Sequence, residues 1–249
     1  MTKEGYLSMK LLNGDCLELM KDIPGGSVDL VLCDPPYGTT DCSWDSVLPF
    51  DQLWKEYNRI LKPNGAAVLF AAQPFTTQLI SSNIKDFRYC WYWLKNQATG
   101  FTFAKHQPMR RVEDICVFYR KRPTYNPQEL VMIPGEKQKV RRKNAPKRES
   151  IYKTSTLMKE YTARFTGYPK NVLQYNTERG LHPTQKPVAL LEYLVRTYTN
   201  EGDTILDNCM GSGSTGVAVK RVGGRHFIGI EQDQKYFEIA KERIEKETA

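Results

Sequence analysis

Apolar residues in this chain come as short continuous runs separated by amphipathic stretches, and the two kinds alternate. Met9 to Asn13 is a short apolar run ending at Gly14-Asp15. Cys16 to Ile23 has the helical spacing Leu17, Leu19, Met20 and stops at Pro24-Gly25-Gly26. Val28 to Cys33 is apolar but for Asp29 and partly β-branched, which fits a strand buried on both faces of a parallel sheet. An amphipathic helix is predicted over Phe50 to Leu61, closed by Lys62-Pro63-Asn64-Gly65, and a second buried strand over Ala66 to Ala71. Pro74 to Asn83 reads as a helix, and Phe87 to Leu94 and Asp114 to Tyr119 read as aromatic strands. Further on come a helix over Pro187 to Tyr198, a strand over Asp203 to Leu206 and a helix over Ser214 to Val222, then a strand over His226 to Ile230 and a helix over Gln234 to Glu247. Strand–helix alternation of this kind predicts a doubly wound α/β sheet.

One stretch breaks the alternation. From Lys121 to Arg179 the apolar periodicity fades, and Lys137, Lys139, Arg141, Arg142, Lys143, Lys147 and Arg148 form a dense basic run. Tyr152, Tyr161, Phe165 and Tyr168 follow among further lysines and an arginine. A solvated, disordered loop is the plain reading. A nucleic-acid-facing insert is the sharper one, because long irregular insertions in compact domains are either functional or disordered. The expected division is 1–120 and 181–249 as two halves of one domain, with 121–180 inserted between them.

Composition narrows the class. The chain has 249 residues, 40% of them hydrophobic, and a formal net charge of +8. That length suits one α/β domain with an inserted lobe, and the charge suits a polyanionic partner. None of the six cysteines forms a CxxC pair, so reduced structural thiols are expected and a zinc site is not. The start lacks an apolar core long enough for a signal peptide, and no run approaches a membrane span, so neither export nor a membrane partner is expected.

Two motifs carry the chemistry. Asp34-Pro35-Pro36-Tyr37 follows the Val28–Cys33 run directly, which places it at the carboxyl edge of the sheet, where open α/β sheets bind ligands. The exocyclic amine of a base is a poor nucleophile because its lone pair is delocalised into the ring. Two acceptors aimed at its N–H bonds favour the form that attacks. Asp34 supplies one acceptor and the Pro35 carbonyl the other, and Pro36 helps to hold that carbonyl still. Tyr37 offers a ring for a base taken out of its duplex. The bland alternative is a strand-ending turn. The second motif is LDNCMGSGSTG, Leu206 to Gly216, between a strand and a helix. Its glycines let a nucleoside cofactor approach the backbone. The string also satisfies the dinucleotide fingerprint, so alone it is weak. Glu231 stands about 20 residues on, at the end of a strand, as a ribose-hydroxyl acceptor in either reading.

Hydride transfer has no use for Asp34-Pro35-Pro36-Tyr37, and with it the chain resembles the amino-group DNA methyltransferases that use S-adenosyl-L-methionine. LDNCMGSGSTG is similar to that family's cofactor motif, His182-Pro183-Thr184-Gln185-Lys186-Pro187 matches its HPTQKP string, and Gly14-Asp15-Cys16 resembles the stretch bordering the cofactor's adenine. The catalytic motif precedes the cofactor motif with the basic region between, as in the permuted β group. The resemblance implies a Rossmann-like sheet with permuted strand order, helices on both faces and an irregular inserted recognition region. It implies Asp34, Pro35, Pro36 and Tyr37 as catalytic. It further implies Asp15, Cys16, Asp34, Lys186, Asp207, Asn208, Gly211, Gly213, Ser214, Thr215 and Glu231 as cofactor-binding, with Lys186 near the methionine end. The chain departs from the family at Asn208-Cys209-Met210, where a Pro-Phe pair is usual, and Met210 is expected to fill the phenylalanine's space.

The leading expectation is methylation of adenine N6 in a specific double-stranded DNA sequence after the base is flipped out. Asp at the first motif position leans that way in the family, while N4 of cytosine, also a conjugated exocyclic amine, is the alternative. An NAD(P)-binding oxidoreductase and a non-catalytic DNA-binding module are the readings from other classes. A homodimer is expected from the β group and from Phe87 to Leu94 if that run leaves apolar surface exposed. A cognate restriction endonuclease is a further partner to consider, and the cytoplasm of a bacterium or of a phage-infected bacterial cell is the expected place.

Overall fold

The structure is a computed structural model and describes residues 8–39, 46–141, 161–178, 180 and 185–248. It divides into one large unit, Met1–Asn126 with Asn171–Ala249, and a small one, Pro127–Lys170.

The large unit is built on an eight-stranded sheet. In chain order its elements are β1 (Met9–Asn13), α1 (Cys16–Leu19), β2 (Val28–Cys33), α2 (Phe50–Ile60), β3 (Leu61–Ala71), α3 (Phe75–Ser82), β4 (Phe87–Thr99) and β5 (Arg110–Phe118). In the small unit, β6 (Val131–Met132) pairs with β9 (Phe165–Thr166) and β7 (Val140–Arg141) with β8 (Tyr161–Thr162), both antiparallel. The large unit resumes with β10 (Val172–Gln174), α4 (Val188–Tyr198), β11 (Thr204–Asp207), α5 (Ser214–Val222), β12 (His226–Glu231) and α6 (Gln234–Lys246). The order across the sheet is β1-β12-β11-β2-β3-β5-β4-β10. All neighbours are parallel except β5, which is antiparallel to both β3 and β4.

The continuous apolar runs are explained by burial on both faces. Leu30 and Leu32 of β2, with Ala66, Val68 and Phe70 of β3, point into a core shared with α4, α5 and α6. Val31 and Cys33, with Ala67, Leu69 and Ala71, point into the opposite core against α1, α2 and α3. Successive side chains of a strand face opposite ways, so each run feeds two cores at once. Val28, at the start of β2 where the β2–β3 register shifts, packs in the second core as well.

At the middle of the sheet β11 and β2 are neighbours, and the chain leaves them in opposite directions, through α5 to β12 and through α2 to β3. This is the topological switch point, and a crevice opens outside the carboxyl ends of the two strands. Asp34 follows β2 and Asn208 follows β11, so the two motifs, distant in sequence, meet there.

Two expectations are corrected. β3 starts at Leu61, not Ala66, because Leu61 pairs with Val28 across the bulge. Residues 171–178 belong to the large unit, where β10 adds to β4. Only Leu173 of its three residues is buried, which left no apolar run to read. The Phe87–Leu94 run is mixed: Trp91 and Trp93 are buried in the core shared with α4, Tyr92 is exposed, and Phe87, Tyr89, Cys90 and Leu94 are half-buried. Among the described residues no helix is long and apolar enough to cross a membrane.

Candidate active site

Asp34 stands one residue beyond β2, half-buried, with both carboxylate oxygens engaged. The Tyr37 hydroxyl donates to Oδ1 at 2.6 Å, and the Lys186 ammonium donates to Oδ2. A carboxylate offers about four lone-pair positions, so each oxygen keeps room for a second donor. Tyr37 is stacked on Phe75 of α3, with ring centroids 4.9 Å apart and planes 22° apart. Lys186 Nζ lies 5.9 Å from the Tyr37 ring centroid and 5.1 Å from that of Phe70. Burial pushes the Tyr37 hydroxyl well above its usual pKa, and the charges of Asp34 and Glu113 push the same way, so the phenol stays protonated as a donor.

Lys186 is buried and continues into a chain of charges. Its Nζ is 3.6 Å from Glu113 Oε2, and Glu113 Oε1 accepts from the Lys95 ammonium. Burial opposes the charge on Lys186, but Asp34 and Glu113 outweigh it and hold its pKa above the usual lysine value. Burial would raise Glu113, yet Lys186 and Lys95 together hold it below the usual carboxylate range. The order Asp34, Lys186, Glu113, Lys95 alternates in sign, so the buried group is neutral as a whole.

The segment that delivers Lys186 is fixed by Glu178. Its Oε1 accepts from the Val188 amide at 3.0 Å, which caps α4, and its Oε2 accepts from Gln185 Nε2 at 3.1 Å. Gln185 Oε1 is a buried oxygen without a donor among the described residues.

Across the crevice, the loop after β11 is held from several sides. The Tyr57 hydroxyl of α2 donates to Asn208 Oδ1 at 2.6 Å, and Asn208 Nδ2 reaches Cys16 Sγ at 3.7 Å. Arg243 of α6 donates to the Ser214 hydroxyl at 2.9 Å and the Ser212 carbonyl at 3.2 Å. Glu231 binds the Gly211 amide through Oε2 at 2.8 Å and the Asp233 amide through Oε1 at 2.9 Å. Burial raises the Glu231 carboxyl despite these amides, and it pushes Asp207 up to about 7 against the pull of Thr215 and the Cys209 amide. Asp15 caps α1, accepting from the Leu17 amide at 2.7 Å. The Sδ of buried Met210 sits where a Cβ on Gly229 would come within 2.4 Å, so the methionine takes the space above that glycine.

Asp34, Tyr37, Lys186, Glu113, Lys95 and Glu178 line a cleft of about 940 Å3 with the loop after β11, Asp15 and Glu231. Every motif residue expected in the site lines it except Gly213. Gly213 has φ +78°, and a Cβ there would meet Ala240 Cβ at 2.9 Å, so this glycine packs the turn against α6 instead of admitting a ligand. Lys186 is placed against Asp34 and Glu113. Of the basic run, Lys137 and Lys139 are exposed in the small unit and Arg141 ends β7, while Arg142, Lys143, Lys147 and Arg148 lie outside the described residues, as do His182, Pro183 and Thr184. The sequence alone does not single out Lys95, Glu113, Glu178 or Gln185 for these roles. Lys95, Glu113 and Glu178 stand in no motif string and Gln185 stands in the His182–Pro187 string without a role of its own, and the pairing of β4 with β5 and the cap on α4 bring them in.

The cleft's charge says what it can hold. Its lining carries seven carboxylates (Asp15, Asp34, Glu113, Glu178, Asp207, Glu231, Asp233) against two lysines, in a chain whose net charge is +8. Such a lining fits a cationic ligand with hydroxyl and amino donors and disfavours a dinucleotide's pyrophosphate.

A family model described as DNA methylase, N6_N4_Mtase, matches residues 28–242. The Type II methyltransferase M2.DpnII of Streptococcus pneumoniae is 29% identical over 280 residues, covering 99% of this chain and 94% of the relative. The Type II methyltransferase M.HpaI of Haemophilus parainfluenzae is 28% identical over 262 residues, covering 97% and 76% respectively. Among solved structures, the M1.HpyAVI–SAM complex superposes with a TM-score of 0.64 at 26% identity, covering 94% of this chain and 99% of that one. The PvuII cytosine-N4-specific DNA methyltransferase gives a TM-score of 0.68 at 19% identity over 95% of this chain and 87% of that one, which is a likeness of fold. With one family model running from β2 into α6, and its two motifs facing each other across the switch-point cleft, the chain belongs to the N6/N4 DNA methylase family.

Proposed function

We propose that this DNA methylase transfers the methyl group of S-adenosyl-L-methionine to the N6 amine of adenine in double-stranded DNA, with the target base turned out of the duplex. The observation that carries the reading is Asp34: a carboxylate at the switch point, braced by Tyr37 and Lys186 on the wall of an acidic cleft. The cofactor supplies an electrophilic methyl group on a positively charged sulfur. The lining fits such a cation through its excess of carboxylates, and the Gln185 oxygen, without a donor among the described residues, can accept from a ligand.

In this reading Glu231 accepts the ribose hydroxyls with the lone pairs left by Gly211 and Asp233, and Asp15 and Cys16 border the adenine. Asp207, Asn208, Gly211, Ser214 and Thr215 form the floor, and Gly213 sets the turn that carries them. Asp34 and the Pro35 carbonyl accept the two N–H bonds of the target amine and draw its lone pair out of conjugation. Pro36 keeps the carbonyl in place, and Tyr37, backed by Phe75, gives the base a wall. Water is excluded by filling the cleft, which strengthens these acceptors. Lys137, Lys139, Arg141, Arg142, Lys143, Lys147 and Arg148 contact phosphates. The family covers both amines, and Asp at position 34 supports adenine by its resemblance to the N6 enzymes.

Incubating the protein with methyl-labelled cofactor and unmodified duplex DNA, then digesting to nucleosides, tests the reading. Label in N6-methyladenine is the expected result, and label in N4-methylcytosine would overturn the choice of base.

A further inference from the structure

β4 points the same way as β2 and β3, so the connection from β4 to β5 leaves the sheet at the edge where Asp34 stands. Lys95 and Thr99 of β4 and Glu113 of β5 line the cleft itself. Phe101 is two residues beyond Thr99, within about 7 Å of extended chain. It is 81% exposed, and Phe103 is 59% exposed. A phenylalanine left in water forgoes the gain of burying its ring, and here two stand together. The tip is braced all the same. Phe101–Phe103 is a 3-10 turn, closed by the Ala104 amide on the Phe101 carbonyl at 3.0 Å and the Phe103 amide on the Gly100 carbonyl at 3.1 Å. At its base Arg111 Nε donates to the Lys95 carbonyl at 2.8 Å.

Every residue from Phe101 to Val112 is exposed, and this stretch carries Lys105, Arg110 and Arg111 with no acidic residue. Stackable rings beside cations fit a polyanion that contains bases. An apolar protein surface would leave the cations without partners.

We propose that the β4–β5 tip docks on duplex DNA beside the target. Phe101 and Phe103 enter the base stack there and fill the space left by the outgoing base, while Lys105, Arg110 and Arg111 hold the flanking phosphates. Apolar side chains wedged between base steps recur in proteins that open or kink a duplex, and the contact repays part of the unstacking cost. The inference rests on the reading that the substrate is a base turned out of a duplex.

The test uses the full chain and its target site, found by modification-sensitive sequencing of DNA from an expressing host. Two duplexes carry that site, one with the target base normally paired and one with it opposite an abasic position, already loosened. Wild type should methylate both. The Phe101→Ala/Phe103→Ala variant should lose roughly tenfold or more on the paired duplex and less than about threefold on the abasic one, a split a merely structural role would not give. Phe101→Trp/Phe103→Trp, which keeps stackable rings, should stay near wild type. Equal rates for wild type and the alanine variant, or equal losses on both duplexes, would overturn the proposal. So would a wild-type dimer, seen by light scattering, that the alanine variant turns into a monomer, since that outcome assigns the tip to a second copy. A wild type inert on both duplexes would instead overturn the functional reading, and this inference with it.

Discussion

Lys186 lies between two carboxylates in the interior, and its surroundings set the electrostatics of Asp34. The family string suggests a lysine at the methionine end of the cofactor. The fold places it where Asp34 needs a cation and where Glu113, itself tied to Lys95, supplies a second counter-charge. An alternating chain of buried charges is weak evidence for stability as a whole, but removing one member leaves an uncompensated charge in low dielectric. Lys186→Met should therefore destabilise the fold by about 3–5 kcal/mol, because Asp34 and Glu113 would then face each other. Adding Glu113→Gln should recover part of that loss, because the two sites are coupled through direct contact. Denaturant unfolding of the two single variants and the double variant measures this. Additive losses, or a cost for Lys186→Met below about 1 kcal/mol, would show that the four charges do not act as a unit.

At the scale of elements, the turn between β11 and α5 shows why one glycine motif divides into separate jobs. Gly211 gives its amide to Glu231, whereas Gly213 adopts φ +78° against α6. Gly213→Ala should cost about 1–3 kcal/mol from the left-handed backbone alone, and more from the 2.9 Å approach to Ala240 Cβ. A second change, Ala240→Gly, should recover only part of the loss, since Ala240 Cα at 3.0 Å and Ile244 Cδ1 at 3.1 Å stay close and the backbone cost remains. Thermal melting that leaves Gly213→Ala at wild-type stability would contradict this packing role. The parallel strands were legible because burial on both faces forces continuous apolar runs, and the helices between them because one face of each is polar. The Asp34 motif and the glycine turn were legible as strings. β10 was not, since a three-residue edge strand with one buried side chain leaves no period to read. Glu113 was not, since its role arises from the register that sets β5 against β4, and single-sequence periodicity carries no register.

For the whole molecule, net charge and local charge point in opposite directions. The chain is basic at +8, while the cleft lining is acidic. Such a division suits an enzyme that holds a polyanion on its surface and a cation in its pocket. If the basic run touches phosphates, alanine at Lys139, Arg141, Arg142 and Lys143 should weaken binding to all duplexes alike. It should also flatten the salt dependence by about 0.9 log unit of slope for each phosphate no longer neutralised, without changing the base that is methylated. DNA affinity across a salt series checks this, and superimposable lines for variant and wild type would leave the run without a role. The proposed chemistry depends most on Asp34, which in this reading accepts from the target amine and need not hold the cofactor's charge. The most direct test is the single-turnover rate of methyl transfer to duplex DNA for Asp34→Ala and Asp34→Asn beside wild type, with cofactor affinity measured by calorimetry on the same preparations. The expected result is a rate loss of at least about a hundredfold in both variants, as for other removed transition-state interactions, with cofactor affinity unchanged within a few-fold. Either variant keeping most of its turnover would contradict the role given to Asp34.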